Sequence, residues 1–264
     1  MAQPVLLRLS PAEWILSVMA VQPDAATTLA EDVDQSMTPE RLQGALQAAR
    51  DALLARDLGR MNNEGRLEIN PVVRSCARAV VNPRASFGLT LIEADGASRV
   101  VFYNWLPGFA IGTWVDPNQI RTFELLDSDD TIAEGILTKW GAAAGGNGTT
   151  GVYKVPAAHL PALPVDKPGR ADGLADALVK DGVPSSTASE LESAFSAPAR
   201  RAVLAAASHA NTAASTLVWL SDQNKSYVIA QAGGAADITV TVTGTNGLAQ
   251  VITSFVRDML AAAR

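Results

Sequence analysis

The stretch Ala85-Ser-Phe-Gly-Leu-Thr-Leu-Ile-Glu-Ala-Asp-Gly-Ala-Ser-Arg-Val-Val-Phe-Tyr-Asn-Trp105 decides the fold class. Phe87, Leu89 and Leu91 recur at every second position, which is the period of a strand with one buried face. Asp95-Gly96 is a turn signal, and a second apolar run follows it. Further apolar runs at 109–115 and 120–126 continue the pattern, so the stretch predicts an antiparallel meander.

The sequence before this meander has helical spacing. Ser10-Pro11-Ala12-Glu13 and Thr38-Pro39-Glu40-Arg41 each place a capping hydroxyl before a proline, as at the start of a helix. Another short helix is predicted over 24–33, a two-stranded ribbon over 60–69, and a helix over 72–81. Helices followed by a small ribbon predict a winged-helix-like segment.

Two interpretations of that segment remain open. DNA recognition would use the polar helix face formed by Arg41, Gln43, Gln47 and Arg50, whereas a scaffold would use the segment only for packing or protein contact. Charge favours the scaffold, because residues 1–84 carry nine bases and ten acids, 85–140 carry three and eight, and 141–264 carry nine of each. No segment of this size has a basic excess, so nucleic-acid binding is not expected.

The second part of the chain repeats the order of the first. A helix over 131–140 closes the first meander, and a Gly-rich run followed by four prolines predicts a linker over 141–170. Helices are then predicted over 173–180 and 189–209, followed by strands over 215–221, 226–232 and 237–243 and a final helix. The expected fold class is α+β, with two related halves (1–140 and 171–264) about a pseudo-two-fold axis.

Composition excludes several classes of protein. The 264 residues include one Cys and two His, too few for a disulfide framework or a zinc site. No signal peptide and no apolar run of membrane-spanning length is visible. A cytoplasmic protein without a cofactor and without membrane contact is expected.

The candidate chemical sites are weak. Gly146-Asn-Gly-Thr-Thr-Gly151 matches the dinucleotide-binding spacing, but it follows a predicted helix and does not open one, so a flexible linker is the better interpretation. The carboxylates of Asp127, Asp129 and Asp130 fit either a metal site or, more simply, the capped start of a helix. Cys76 fits a core position better than a nucleophile. His159 and His209 lack partners at a catalytic spacing, so no catalytic residue is assigned.

The candidate partner-binding residues are aromatic. Trp105 and Trp114 flank the turn that contains Phe109. Aromatic side chains on strands are most often core residues, and the alternative is an exposed anchor for a protein partner.

The order of these elements resembles the EspG-like secretion-associated chaperones of type VII secretion. The resemblance rests on Leu53-Leu-Ala-Arg-Asp-Leu-Gly59 with its short ribbon, the helix over 72–81 with Asn82-Pro83-Arg84, the meander, and residues 178–184 before the second half. It implies two related halves and a cytosolic holdase that binds the hydrophobic tip of a helical secreted heterodimer.

Three functions are therefore weighed. A non-enzymatic protein-binding chaperone or adaptor with a helical protein partner is favoured. A winged-helix transcriptional regulator is the alternative, and an enzyme of unrecognised type is the third. The pattern also leaves a homodimer open.

Overall fold

A computed structural model describes residues 6–23, 38–93, 95–126, 128, 131–141, 149–156, 158, 173–196, 200–209, 211–221, 225–231 and 237–264. The chain forms two compact units. Unit 1 comprises Met1–Arg84 and Asn104–Asp129, and unit 2 comprises Ala85–Tyr103 and Asp130–Arg264. Both contain helices and antiparallel strands, so the α+β class is confirmed.

The described elements follow one another along the chain in this order: β1 (Leu6–Leu9), α1 (Pro11–Met19), α2 (Pro39–Ala55), β2 (Gly59–Met61), β3 (Leu67–Ile69), α3 (Pro71–Val81), β4 (Ala85–Glu93), β5 (Ser98–Leu106), β6 (Phe109–Val115), β7 (Arg121–Leu126), α4 (Thr131–Trp140), β8 (Thr149–Pro156), α5 (Leu174–Lys180), α6 (Ser185–Ser196), β9 (Arg200–Ser208), β10 (Asn211–Ser221), β11 (Ser226–Gln231), β12 (Asp237–Thr243) and α7 (Thr245–Ala263).

The helices of unit 1 begin where the sequence predicts. Ser10 caps α1 and forms a capping box with Glu13, and the side chain of Thr38 accepts a hydrogen bond from the backbone of Arg41 at the start of α2. The side chain of Asn70 caps α3 in the same way. Predicted helix 24–33 lies outside the described residues.

The core of unit 1 joins these helices to a sheet. Strands β1, β7 and β6 pair antiparallel in that order, and β2 pairs with β3 in a separate ribbon. Buried side chains of α1, α2 and α3 pack with those of the sheet, including Trp14, Leu53, Cys76 and Phe123. The ribbon and α3 thus attach to the sheet through one apolar cluster.

Unit 2 has its own strand order, β5-β4-β9-β10-β11-β12-β8, and β5 passes into unit 1 after Tyr103. Helix α7 packs against β4, β8, β9, β11 and β12 and contacts α4. Helices α5 and α6 pack through Leu178, Leu191 and Phe195 on side chains of β10, β11, β12 and β8. Both faces of that part of the sheet are therefore covered.

The predicted helix 189–209 is wrong from Arg200 to Ser208. Residues Arg200–Ser208 form β9, which pairs with β4 on one side and β10 on the other. Four alanines give this segment a helical propensity, but propensity is a weak preference that pairing on both edges overrides. Its burial alternates along most of the strand, as expected for strand geometry.

The linker predicted over 141–170 contains regular structure. Residues Thr149–Pro156 form β8, which pairs with β12 alone at the end of the strand order of unit 2. A single pairing edge tolerates Gly151 and places Pro156 at the end of the strand. A nucleotide-binding fingerprint needs a helix after its glycines, and Thr149–Gly151 instead begin this strand.

Other predictions about organisation are untested. The internal duplication, the pseudo-two-fold axis, the winged-helix assignment and the division into 1–140, 141–170 and 171–264 stay predictions. In the described residues, no helix is long and apolar enough to cross a membrane.

Candidate protein-binding face

One face of β4, β5 and β9 is open in unit 2. Phe87, Leu89 and Leu91 on β4 point to the covered face and are buried. The intervening Ser86, Gly88 and Thr90 are half-buried and lie opposite Ala207, Ala205 and Val203 of β9. The apolar cluster beneath α5 and α6 contains no described residue of β4 or β9.

Two large apolar side chains of β5 lie on the same face. Val100 is 42% exposed and Phe102 is 46% exposed. A Cβ atom added to Gly88 would lie 3.4 Å from the Phe102 ring, so that ring lies on the Gly88 side of the sheet. We call this surface the open face and define it by its residues: Ser86, Gly88, Thr90, Val100, Phe102, Val203, Ala205 and Ala207.

Helices α5 and α6 border the open face. Val203 of β9 lies opposite Val218 of β10, and Val218 packs against the apolar cluster beneath these helices. The open face thus continues, one strand along, into a covered apolar face. A partner that binds beside α5 and α6 would extend an apolar layer that the protein already contains.

The open face carries no ionisable side chain. Arg201 shares its side of β9, but it is buried, and it lies opposite Ile92 and Leu220. Small residues predominate on β4 and β9, whereas β5 supplies the two bulky ones. A surface of this composition binds apolar groups and offers little to a charged ligand.

Hydrogen bonds hold α5 and α6 beside the open face. The carboxylate of Glu190 on α6 accepts from Lys225 Nζ at 2.8 Å and from the buried Tyr227 hydroxyl at 3.0 Å. The hydrogen bond from Lys225 lowers the pKa of Glu190 from its ordinary value. Glu192 accepts from the backbone N–H of Ala175 at 2.6 Å, so α6 supplies the N-terminal cap of α5.

The covered side of the same strands is rigidly packed. Arg99 donates to the Lys139 carbonyl at 3.3 Å and Arg200 donates to the Trp140 carbonyl, so two arginines bind the end of α4. Arg200 also pairs with Glu93 at 2.8 Å, and its guanidinium lies 4.3 Å from the centre of the Trp140 ring. These contacts fix the strands that carry the open face.

The predicted aromatic candidates lie elsewhere. Trp105 is buried on β5, and Phe109 and Trp114 are half-buried on β6. Phe109 packs against the core of unit 1. All three belong to unit 1, whereas the open face belongs to unit 2, and their part in partner binding stays a prediction.

The weak chemical candidates gain no support from the described residues. Cys76 is buried in the unit 1 core, and burial raises the pKa of its thiol to about 12, which keeps it protonated and unreactive. His209 is exposed in the turn after β9. No group of three His, Cys, Asp or Glu side chains in the described part of the chain is arranged to hold a metal ion. Residues Asp127, Asp129, Asp130 and His159 lie outside it.

The open face was missed for an identifiable reason. Val100 and Phe102 alternate with the buried Val101 and Tyr103, so β5 is apolar on both sides in the sequence. That pattern signals either a strand covered on both faces or one with a face left for a partner. Because a helix was predicted where β9 lies, the sequence did not indicate that Val203, Ala205 and Ala207 share a sheet face with β5.

Comparison with solved structures supports the fold. No family model and no curated protein matches the sequence. A chain in a solved structure of the Mycobacterium tuberculosis type VII secretion system chaperone EspG5, in complex with the PE25-PPE41 dimer, is similar with a TM-score of 0.64. The match covers 97% of this chain and 96% of that chain at 12% sequence identity. The chain therefore has an EspG-like fold.

Proposed function

We propose that this protein is a non-enzymatic chaperone that binds an apolar helical surface of an export substrate in the cytoplasm. The observation that carries the proposal is the open face, an uncharged apolar surface on rigid strands. Contiguous exposed apolar surface on a folded protein marks a site of interaction with another protein or a ligand.

The shape of the open face supports a helical partner. Ala205 and Ala207 are exposed and leave room above β9, while Val100 and Phe102 rise on β5 and the Phe102 ring lies over Gly88. A helix laid over small residues buries bulky side chains there without displacing the sheet. The EspG-like fold adds support, because the EspG5 structure contains the PE25-PPE41 dimer.

Co-purification from the native host tests this proposal. Wild-type protein should recover a small helical partner in near-stoichiometric amount. Phe102→Asp places a charge on the open face and should abolish recovery, because burying an unpaired carboxylate costs several kcal/mol.

Val152→Asp is the control. Val152 is 60% exposed, and it lies on β8, which pairs only with β12 and does not border the open face. This variant should recover the partner at the wild-type level. Recovery of the homo-oligomer alone by wild-type protein, or equal recovery by both variants, would contradict the proposal.

A further inference from the structure

A basic surface lies on the β2–β3 ribbon and α3 of unit 1. Residues 59–84 hold five arginines, no lysine and two glutamates, a net charge of +3 in a chain whose net charge is −6. The net charge of residues 1–84 as a whole does not show this excess, because the rest of that segment is acidic. The lack of a basic excess over residues 1–84 therefore does not hold for this shorter stretch.

The arginines of this surface are accessible. Arg60 and Arg66 on the ribbon have side chains that are 82% and 80% exposed. Arg74 and Arg78 stand one turn apart on the exposed side of α3, opposite the buried Val73 and Ala77. Arg84 is exposed directly after the helix.

Among the described residues, acids of the chain form ion pairs with the two arginines of the ribbon and with no other arginine of this surface. Arg60 pairs with Glu68 at 3.0 Å and Arg66 pairs with Glu64 at 3.4 Å, and such exposed pairs are weak. Arg74 donates to the Ile69 carbonyl at 3.5 Å. In the described part of the chain, no carboxylate forms an ion pair with Arg74, Arg78 or Arg84.

A cleft joins the ribbon to α3. Its volume is about 540 Å³, and its lining includes Arg60, Arg74 and Asn70 together with the acids Asp57 and Glu68. A carboxylate entering the cleft would compete with Glu68 for Arg60. The same carboxylate would also reach the guanidinium of Arg74, which has no acidic partner among the described residues.

We propose that this basic surface binds an acidic segment of a protein partner, with Arg74 and Arg78 as its principal contacts. Guanidinium groups bind carboxylates through paired hydrogen bonds, which a lysine cannot form. Nucleic acid fits less well, because five arginines in an acidic protein fall short of the basic surface that phosphate binding requires. The proposal concerns unit 1 and does not depend on the open face.

Fluorescence anisotropy with a labelled peptide of eight glutamates and glycine spacers tests the proposal on the full chain. Wild-type protein should bind the peptide at low salt and bind it more weakly at physiological salt. The double variant R74S/R78S should bind it about tenfold more weakly, since two charged contacts are lost.

The double variant K154S/R257S removes the same charge from unit 2 and should bind within about twofold of wild type. Equal losses in the two variants would overturn the proposal, since net charge alone would then explain binding. Failure of wild-type protein to bind at low salt would overturn it too. Tighter binding of a labelled DNA duplex than of the peptide would assign the surface to nucleic acid instead.

Discussion

The carboxylate of Glu13 links three parts of unit 1. It is buried, and it accepts a hydrogen bond from the backbone N–H of Ser10 at 2.7 Å and pairs with Arg56 at 2.7 Å. Arg56 follows α2 and also donates to the Arg8 carbonyl of β1 at 2.7 Å. The Glu13–Arg56 pair therefore connects the start of α1 to the end of α2, and Arg56 connects both to β1.

Glu13→Gln should lower the free energy of unfolding by about 2 kcal/mol, because it removes the charge from a buried, doubly bonded group. Urea denaturation measures the change. Glu64→Gln is the control, since its pair with Arg66 is exposed on both sides and should cost less than about 0.5 kcal/mol. A similar loss in both variants would show that burial of Glu13 adds nothing.

Two helical glycines should respond oppositely to alanine. A Cβ at Gly135 in α4 would lie 2.9 Å from the ring of Tyr103, which is fully buried and cannot move aside. A Cβ at Gly44 in α2 would meet nothing within 4 Å. Gly135→Ala should destabilise the protein by about 1 kcal/mol or more, and Gly44→Ala should stabilise it by about 0.5 to 1 kcal/mol. Thermal denaturation of both variants checks the signs, and stabilisation by Gly135→Ala would contradict the close packing of α4 on β5.

At the scale of the element, α6 is held to the sheet by a titratable contact. The pKa of Glu190 is lowered, chiefly by the hydrogen bond from Lys225. A carboxyl group with a lowered pKa stabilises the folded state above its ordinary value of 4.5, and the effect is lost as pH falls through the folded value. The contact should therefore weaken in acid, below about pH 4.5.

Glu190→Gln should lower the urea midpoint at pH 7 and lower it less at pH 3, because the wild-type carboxyl becomes protonated as the pH falls through its lowered pKa. The effect at pH 7 should be modest, because the pair is partly exposed. Asp258→Asn, at an exposed position of α7, removes the same charge from another helix and is the control for net charge. If the urea midpoints of wild type and Glu190→Gln differ equally at pH 7 and pH 3, hydrogen bonding without charge holds α6.

The elements differ in how far sequence alone predicts them. Local sequence signals predicted where α1 and α2 begin. The side chains of Ser10 and Thr38 accept hydrogen bonds from backbone groups in the first turn of the helix that each precedes. Strand β9 is stabilised by partners distant in sequence, since Leu204 lies opposite Leu89 and Leu217. No local pattern records that pairing, so the alanines of β9 resemble a helix. The first meander was predictable because its strands are joined by short turns.

At the scale of the whole molecule, a candidate site depends on which faces remain uncovered. The sequence shows that β5 is apolar on both sides, but coverage depends on where α4 to α7 pack. Helices α4 and α7 follow β5 in the sequence by many residues, and they pack against β5 and β4 only in the folded chain. The open face therefore became visible only with the structure, whereas the aromatic candidates near Pro107 were chosen by residue type.

The open face should govern how the protein behaves at high salt. Sulfate strengthens the association of apolar surfaces, so an uncovered patch favours self-association and precipitation. Val100→Ser combined with Phe102→Ser should raise the ammonium sulfate concentration needed for precipitation. The free energy of unfolding should change by less than about 1 kcal/mol, because both side chains are already exposed.

Val152→Ser combined with Val179→Ser is the control. It removes two exposed side chains from separate elements, β8 and α5, and should shift the precipitation concentration less. Because both variants lose exposed apolar area, an equal shift would mean that total area and not the contiguous open face determines self-association.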